Sequence, residues 1–218
     1  DQKKKTLTQE LAQNINIRYF TEKGLSDNQP LTSDQKNSVV AGFLNDIDDK
    51  TQAYGDAFSS KDLNITPSES MRSYGNKLGG FLSTTFNNLS GYELDIADRA
   101  SKSGNLALLK QLDPYIADYA KTIEFMKNQP VPPSMVTGHL ILLNSVNNLK
   151  IADEKIKLLG TDGASAIIGL RLFARETPRI IDFLRELRDQ LIKSNVSYSE
   201  SEAGAFFYKY FDLHLKNN

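Results

Sequence analysis

Apolar residues recur along this chain at intervals of three and four, the spacing that gathers side chains on one face of a helix. Leu7, Leu11, Ile15 and Tyr19 form the first such face and predict a helix over 6–19. Ile15, Ile17 and Tyr19 also alternate as a short strand would, but the four-residue spacing covers the longer stretch and favours helix. Gly24, Asp27, Asn28 and Pro30 mark 23–30 as a loop. Thr32 and Gln35 have the spacing of a capping box, in which a hydroxyl and an amide each satisfy an otherwise orphaned backbone N–H. The helix this box opens carries Val40, Phe43, Leu44, Ile47, Thr51 and Tyr54 along one stripe, and 55–65 follows as a polar connection.

Thr66-Pro67-Ser68-Glu69 combines a cap, a proline suited to a first helical turn and a box-closing glutamate, so a helix is expected to start there. Its inward face is Met71, Tyr74, Leu78, Leu82 and Phe86, continuing through Leu89, Tyr92, Ile96 and Ala100 until Ser103-Gly104-Asn105 breaks it. Gly75, Gly79 and Gly80 cost about 1 kcal/mol each relative to Ala and leave room for a neighbouring helix to come close. Asp113-Pro114 and Thr177-Pro178 read as two further starts, with Tyr115, Ile116, Tyr119, Ile123 and Met126 inward on the first and Ile181, Leu184, Leu187 and Leu191 on the second. Between them, Pro130-Val131-Pro132-Pro133 is a stiff extended corner. Ser134 opens a long amphipathic helix reaching Leu159, 161–163 is a turn, and 164–173 is a short helix of small residues. Ser199 and Glu202 form a last capping box before Phe206, Phe207, Tyr208, Tyr210 and Phe211. No strand pair is evident. The expectation is an all-α, irregular helical bundle of about seven to eight helices. It forms a single domain over 1–218, in which a helical pair within 1–56 packs more loosely than the rest.

Composition narrows the chemistry. With 26 Lys+Arg against 27 Asp+Glu the formal net charge is −1, which excludes a general polyanion binder, so no nucleic-acid partner is expected. Cys is absent, removing disulfides, thiolate metal sites and Cys nucleophiles together, and only His139 and His214 supply imidazole. An apolar fraction of 39 % is enough for a core and too high for a disordered chain. The longest clean apolar run, Leu140 to Leu143, is far short of the ~18 residues of a membrane span. The chain begins at Asp1, and Lys3, Lys4 and Lys5 read as a solvated terminus or a basic stub beside an anchor preceding Asp1. Three N-x-S/T triplets, at Asn64, Asn88 and Asn195, are about what chance gives and say nothing about glycosylation.

No group of residues meets the spacing of a known chemistry. Asp46, Asp48 and Asp49 invite a calcium reading, but Lys50 and Thr51 stand where a calcium loop needs a ligand and a glycine. Asp95 and Asp98 share a helix turn with Arg99 and read as surface charge. His139 has neither an orienting carboxylate nor a nucleophile nearby in sequence, so it reads as a hydrogen-bonding residue at a helix interface. His214 has no polar partner pattern. Gly160-Thr161-Asp162-Gly163 lacks the Lys-Ser/Thr pair of a phosphate loop and reads as a turn. The aromatic cluster Phe206–Phe211 reads either as a buried terminal helix or as an exposed contact. No catalytic, cofactor-binding or metal-ligating residue is therefore assigned, and no cofactor.

Three stretches together carry a resemblance: Ser59-Ser60-Lys61-Asp62-Leu63-Asn64-Ile65 with Ser73-Tyr74-Gly75-Asn76-Lys77-Leu78; Leu112-Asp113-Pro114-Tyr115 through Tyr119; and Val131-Pro132-Pro133 with His139, Leu142, Leu143 and Asn144. In this order they resemble uncharacterised helical proteins of candidate phyla radiation bacteria (Patescibacteria, for instance Parcubacteria). The resemblance spans roughly 55–175. It implies an N-terminal membrane anchor followed by an extracytoplasmic helical region, and it supplies no activity. The leading expectation is a non-enzymatic extracytoplasmic helical domain of a membrane-anchored cell-envelope protein. Such a domain acts in envelope structure or protein–protein contact, with other envelope proteins as partners, and meets the membrane only through a segment preceding Asp1. The alternative is a helical module binding a small ligand or peptide in a pocket near the Gly-rich helix and His139. A third reading is a carboxylate enzyme whose site is assembled from distant helices.

Overall fold

The computed structural model describes residues 5–26, 29–86 and 92–209. Helix α1 (Leu7–Leu25) opens on Thr6, whose hydroxyl accepts the Gln9 N–H while the Gln9 side chain accepts the Thr6 N–H at 3.0 Å. Helix α2 (Ser33–Gln52) opens on the expected box of Thr32 and Gln35. α1 runs on through Gly24, so the loop is shorter than the 23–30 expected. Glu10 pairs with Lys50 and Arg18 with Asp46, the crossed order of an antiparallel hairpin. Of the expected stripe on α2, Ile47 and Thr51 are buried whereas Val40 and Leu44 face solvent.

A 3-10 turn (Ser60–Asp62) leads into β1 (Asn64–Ile65), which pairs in parallel with β2 (Pro130–Val131). This corrects the expectation of no strand pairing; a ladder of two residues is too short for a period of two to register in sequence. The ladder also redirects the start signal at Thr66. The Thr66 N–H is held by the Val131 carbonyl at 2.9 Å, and Glu69 N–H closes a turn onto the Thr66 carbonyl with Pro67 at its second position. Helix α3 (Met71–Phe86) begins four residues after Pro67, with the Ser70 hydroxyl accepting the Ser73 N–H at 3.1 Å. The pattern expected through Leu89 does not form one helix. Leu89 lies outside the described residues, and α4 (Glu93–Ser103) is a separate element with Tyr92 exposed before it. Gly104 ends α4 at φ +68°, a left-handed conformation that glycine adopts without steric penalty.

A 3-10 segment (Leu106–Leu112) runs directly into α5 (Asp113–Asn128), with Pro114 in its first turn as expected. A second (Pro133–Met135) turns the proline corner into α6 (Val136–Ile156). The next two expected helices are one. Helix α7 (Gly163–Lys193) runs 31 residues with Pro178 in its interior, correcting the start read at Thr177-Pro178. An interior proline costs about 3 kcal/mol. Here Leu172 before it and Phe183, Leu184 and Leu187 after it are all buried, so packing holds both halves in line. Thr177 turns its hydroxyl back to the Phe173 carbonyl at 2.9 Å instead of capping a new helix.

α6 lies at the centre, packed on α7 and α5. The main core joins Tyr74 and Leu78 of α3, Ile96 of α4, Tyr115 and Met126 of α5, Leu142 and Leu143 of α6, Phe183 and Leu187 of α7, and Phe207. The hairpin α1–α2 docks through a smaller cluster, Leu11 and Ile47 against Ala152, Ala164, Ile168 and Leu172. The Gly-rich face of α3 is approached not by a helix but by Tyr198 and the 3-10 turn Ala203–Ala205: a Cβ on Gly79 would lie 2.5 Å from the Ala203 carbonyl oxygen, and one on Gly75 would overlap the Tyr198 hydroxyl. The Ser199–Glu202 box is also a turn, with the Ser199 N–H on Glu202 Oε2 at 2.8 Å; helix resumes only after Ala205.

Candidate functional site

The polar side chains of α6 organise the interior. His139 is wholly buried one turn into α6. Its Nε2 donates to the Met126 carbonyl at 2.8 Å, and its Nδ1 accepts from the Tyr74 hydroxyl at 2.9 Å, so the two partners fix a neutral tautomer. Burial pushes its pKa down from 6.5 to about 4, against the opposing pull of the Met126 carbonyl. His139 thus ties α3, α5 and α6 together across an interface, as the sequence suggested. The Gly-rich face beside it is taken up by Tyr198 and Ala203, which counts against a ligand pocket there.

One and two turns further along α6, Asn144, Ser145 and Asn148 are also buried. Asn144 clamps the backbone of Phe58, accepting its N–H at 2.8 Å and donating to its carbonyl at 3.1 Å. Ser145 and Asn148 donate to Glu176 of α7 at 2.8 and 3.1 Å. Glu176 is fully buried and bracketed by Arg175 at 2.7 Å and Arg179 at 2.9 Å. Arg175 also reaches the Thr51 and Tyr54 carbonyls at the end of α2, and Arg179 reaches Asp56. The network knits α6, α7 and the 51–58 segment at the turn where Pro178 leaves a carbonyl without its helical donor. Nothing in sequence singled out Glu176, which looked like ordinary helix charge between two arginines. The available signal was on α6, where polar Asn144, Ser145 and Asn148 follow the apolar run Leu140 to Leu143.

A second carboxylate serves two helices. Asp162, in the turn read at 160–163, caps α7 through Ser165 and accepts the Leu7 and Thr8 N–H groups of α1 at 2.9 Å each. Burial would raise its pKa, but the hydrogen bonds from Thr8, Leu7 and Ser165 outweigh it and hold the carboxyl at about 2. A third acid is left unsatisfied. Asp153 of α6 is fully buried, and neither carboxyl oxygen has a hydrogen-bond partner. Burial first, then the charges of Glu93 and Glu154, push its pKa up to about 8. Glu93 itself is buried at the start of α4 and accepts the Tyr119 hydroxyl at 2.5 Å.

The acids picked out in sequence are dispersed. Asp46 pairs with Arg18 at 2.8 Å, Asp48 with Arg171, and Asp98 with Lys102 at 2.8 Å. Among the described residues no three His, Cys, Asp or Glu side chains are placed to hold a metal. Within the aromatic cluster Phe207 is buried in the main core and Tyr208 donates to the Val196 carbonyl at 2.7 Å, while Tyr210, Phe211 and His214 lie outside the described residues. The accessible apolar surface is elsewhere. Ile17, Phe20 and Leu25 on α1 are 57, 65 and 77 % exposed, and Val40 and Leu44 on α2 are 56 and 43 % exposed. All five belong to the two helices of the N-terminal hairpin. Ile17 borders the groove between them, which is lined by Arg18, Thr21, Val39 and Gly42. No described helix is long and apolar enough to cross a membrane. Compared with protein-family models, with curated proteins and with solved structures, the chain finds no match in any of the three.

Proposed function

We propose that this chain is a non-enzymatic helical domain that works by protein–protein contact, presenting its N-terminal hairpin to a partner. The exposure of Ile17, Phe20 and Leu25 on α1 and of Val40 and Leu44 on α2 carries this reading. Exposed apolar surface concentrated on one element pair is a recurrent mark of contact surfaces. The buried polar groups support it from the other side: His139 and Asp153 are sealed inside the bundle, and Glu176 is spent on holding helices together. Placement at the outer side of a cell membrane, among other envelope proteins, rests on the resemblance of 55–175 alone.

The test is site-directed photo-cross-linking in intact cells with a reactive group at position 20, compared with a Phe20→Ser/Leu25→Ser variant. Both side chains are exposed, so the variant is expected to melt with the wild type. A specific adduct that competes with added wild-type protein and disappears in the variant supports the reading. An adduct pattern unchanged by the double substitution, or no adduct in the wild type, refutes it. Protease shaving of intact cells tests the envelope placement separately.

A further inference from the structure

The unpartnered acid inside the bundle marks a site that the contact reading does not use. Asp153 projects from α6 with both oxygens buried and unbonded. An ionised carboxylate in such a place is opposed by desolvation, and no lysine or arginine among the described residues pairs with it. The groups around it make matters worse for a negative charge. From α4 comes Glu93, buried and already bonded to Tyr119; from α5 come Tyr115 and Tyr119, both electrostatically coupled to Asp153. On its own helix Glu154 adds a like charge, and Lys157 is engaged with Asp113. Glu176, the buried acid that α7 sets against α6, is taken up by Ser145, Asn148 and two arginines.

We propose that Asp153 is a proton-binding site built into the fold: closing α4 and α5 over α6 takes up one proton at Asp153, and losing it at alkaline pH loosens that closure. The direction follows from linkage. In the unfolded chain the carboxyl titrates near 3.8 and in the fold near 8, so the folded state holds one more proton between those limits. Stability from this site is therefore complete below about pH 4 and is lost as pH rises through 8. His139 runs in the opposite sense between 6.5 and 4, so the site shows most clearly above pH 6.5.

The test is urea unfolding of the wild type and of Asp153→Asn, a neutral isostere, from pH 5 to 9. His139 and Asp162 titrate alike in both proteins and cancel in the comparison. Between pH 6.5 and 8 the unfolding constant of the wild type is expected to rise about tenfold per pH unit relative to the variant. Parallel profiles would overturn the proposal. A wild-type stability that depends on added calcium, magnesium or potassium, and loses that dependence in the variant, would also overturn it by showing a cation site instead. Should Asp153→Asn fail to fold, infrared difference spectroscopy on the wild type decides. The carbonyl stretch of a buried protonated carboxyl at pH 6.5 supports the proposal, and its absence refutes it.

Discussion

Replacing Asp162 by Asn keeps the size of the side chain and removes the charge on which two helix starts converge. The carboxylate accepts from Leu7 N–H, Thr8 N–H, the Thr8 hydroxyl, Ser165 N–H and the Ser165 hydroxyl, at 2.7 to 3.3 Å. Those bonds hold its pKa at about 2 against an ordinary 3.8, a difference worth about 2 kcal/mol in favour of the ionised form. Asp162→Asn should forfeit about that much, and Asp162→Ala should add the loss of two helix caps at roughly 1 kcal/mol each. The loss falls on the docking of the hairpin, because besides Asp162, α1 meets α7 through the Ala164 N–H on the Thr8 hydroxyl and the small cluster around Leu11. Native-state hydrogen exchange read by mass spectrometry separates this from global unfolding. Amides of α1 are expected to open about thirtyfold more often in Asp162→Asn, with α6 unchanged. In the wild type the same docking, present above about pH 4, is lost as pH falls toward 2. Unchanged exchange in α1, or α1 and α6 accelerating together, would refute the argument.

Other substitutions test the packing. Gly79→Ala drives a Cβ into the Ala203 backbone and should destabilise by about 1–3 kcal/mol, whereas Gly80→Ala meets only the Ala203 Cβ at 3.2 Å and should be close to neutral in urea melts. Glu176→Ala leaves Arg175, Arg179, Ser145 and Asn148 without their common acceptor and should cost on the order of 3–5 kcal/mol, read as a lower thermal midpoint. His139 should stay neutral down to about pH 4, as its ring proton shifts in NMR will show; a midpoint near 6.5 would contradict its burial. Because the unfolded chain protonates this group first, stability from it is full above pH 6.5. About 3 kcal/mol of it disappears as pH falls to 4.

The helices were legible where burial and local chemistry agree. Thr32 with Gln35 and Pro114 in its first turn both stand where the sequence put them. Thr66-Pro67-Ser68-Glu69 and Ser199 with Glu202 have the same residue types, yet each closes a turn, because a bond to Val131 in one case and the approach of α3 in the other sets the chain direction. At Thr177-Pro178 the local start signal was overridden by core contacts on both sides, which keep one helix running through it. His139 was readable as an interface residue because its neighbours in sequence offered it no catalytic partner. Glu176, Asp153 and Asp162 were not readable: their partners lie on other helices, and a lone acid on a helix carries no mark of whether it will be covered.

Asp162 also imposes an order on synthesis. Leu11 and Ile47 are made early, yet the surfaces that cover them, Ala152, Ala164, Ile168 and Leu172, are translated more than a hundred residues later. At ~5–20 residues per second the wait is on the order of ten seconds. For that interval the Leu7 and Thr8 N–H groups lack their Asp162 acceptor, and the apolar inner face of the hairpin lacks the α6 and α7 side chains that cover it. The hairpin leaves the ribosome ahead of α6 and α7, yet its docking can be completed only after both have followed it.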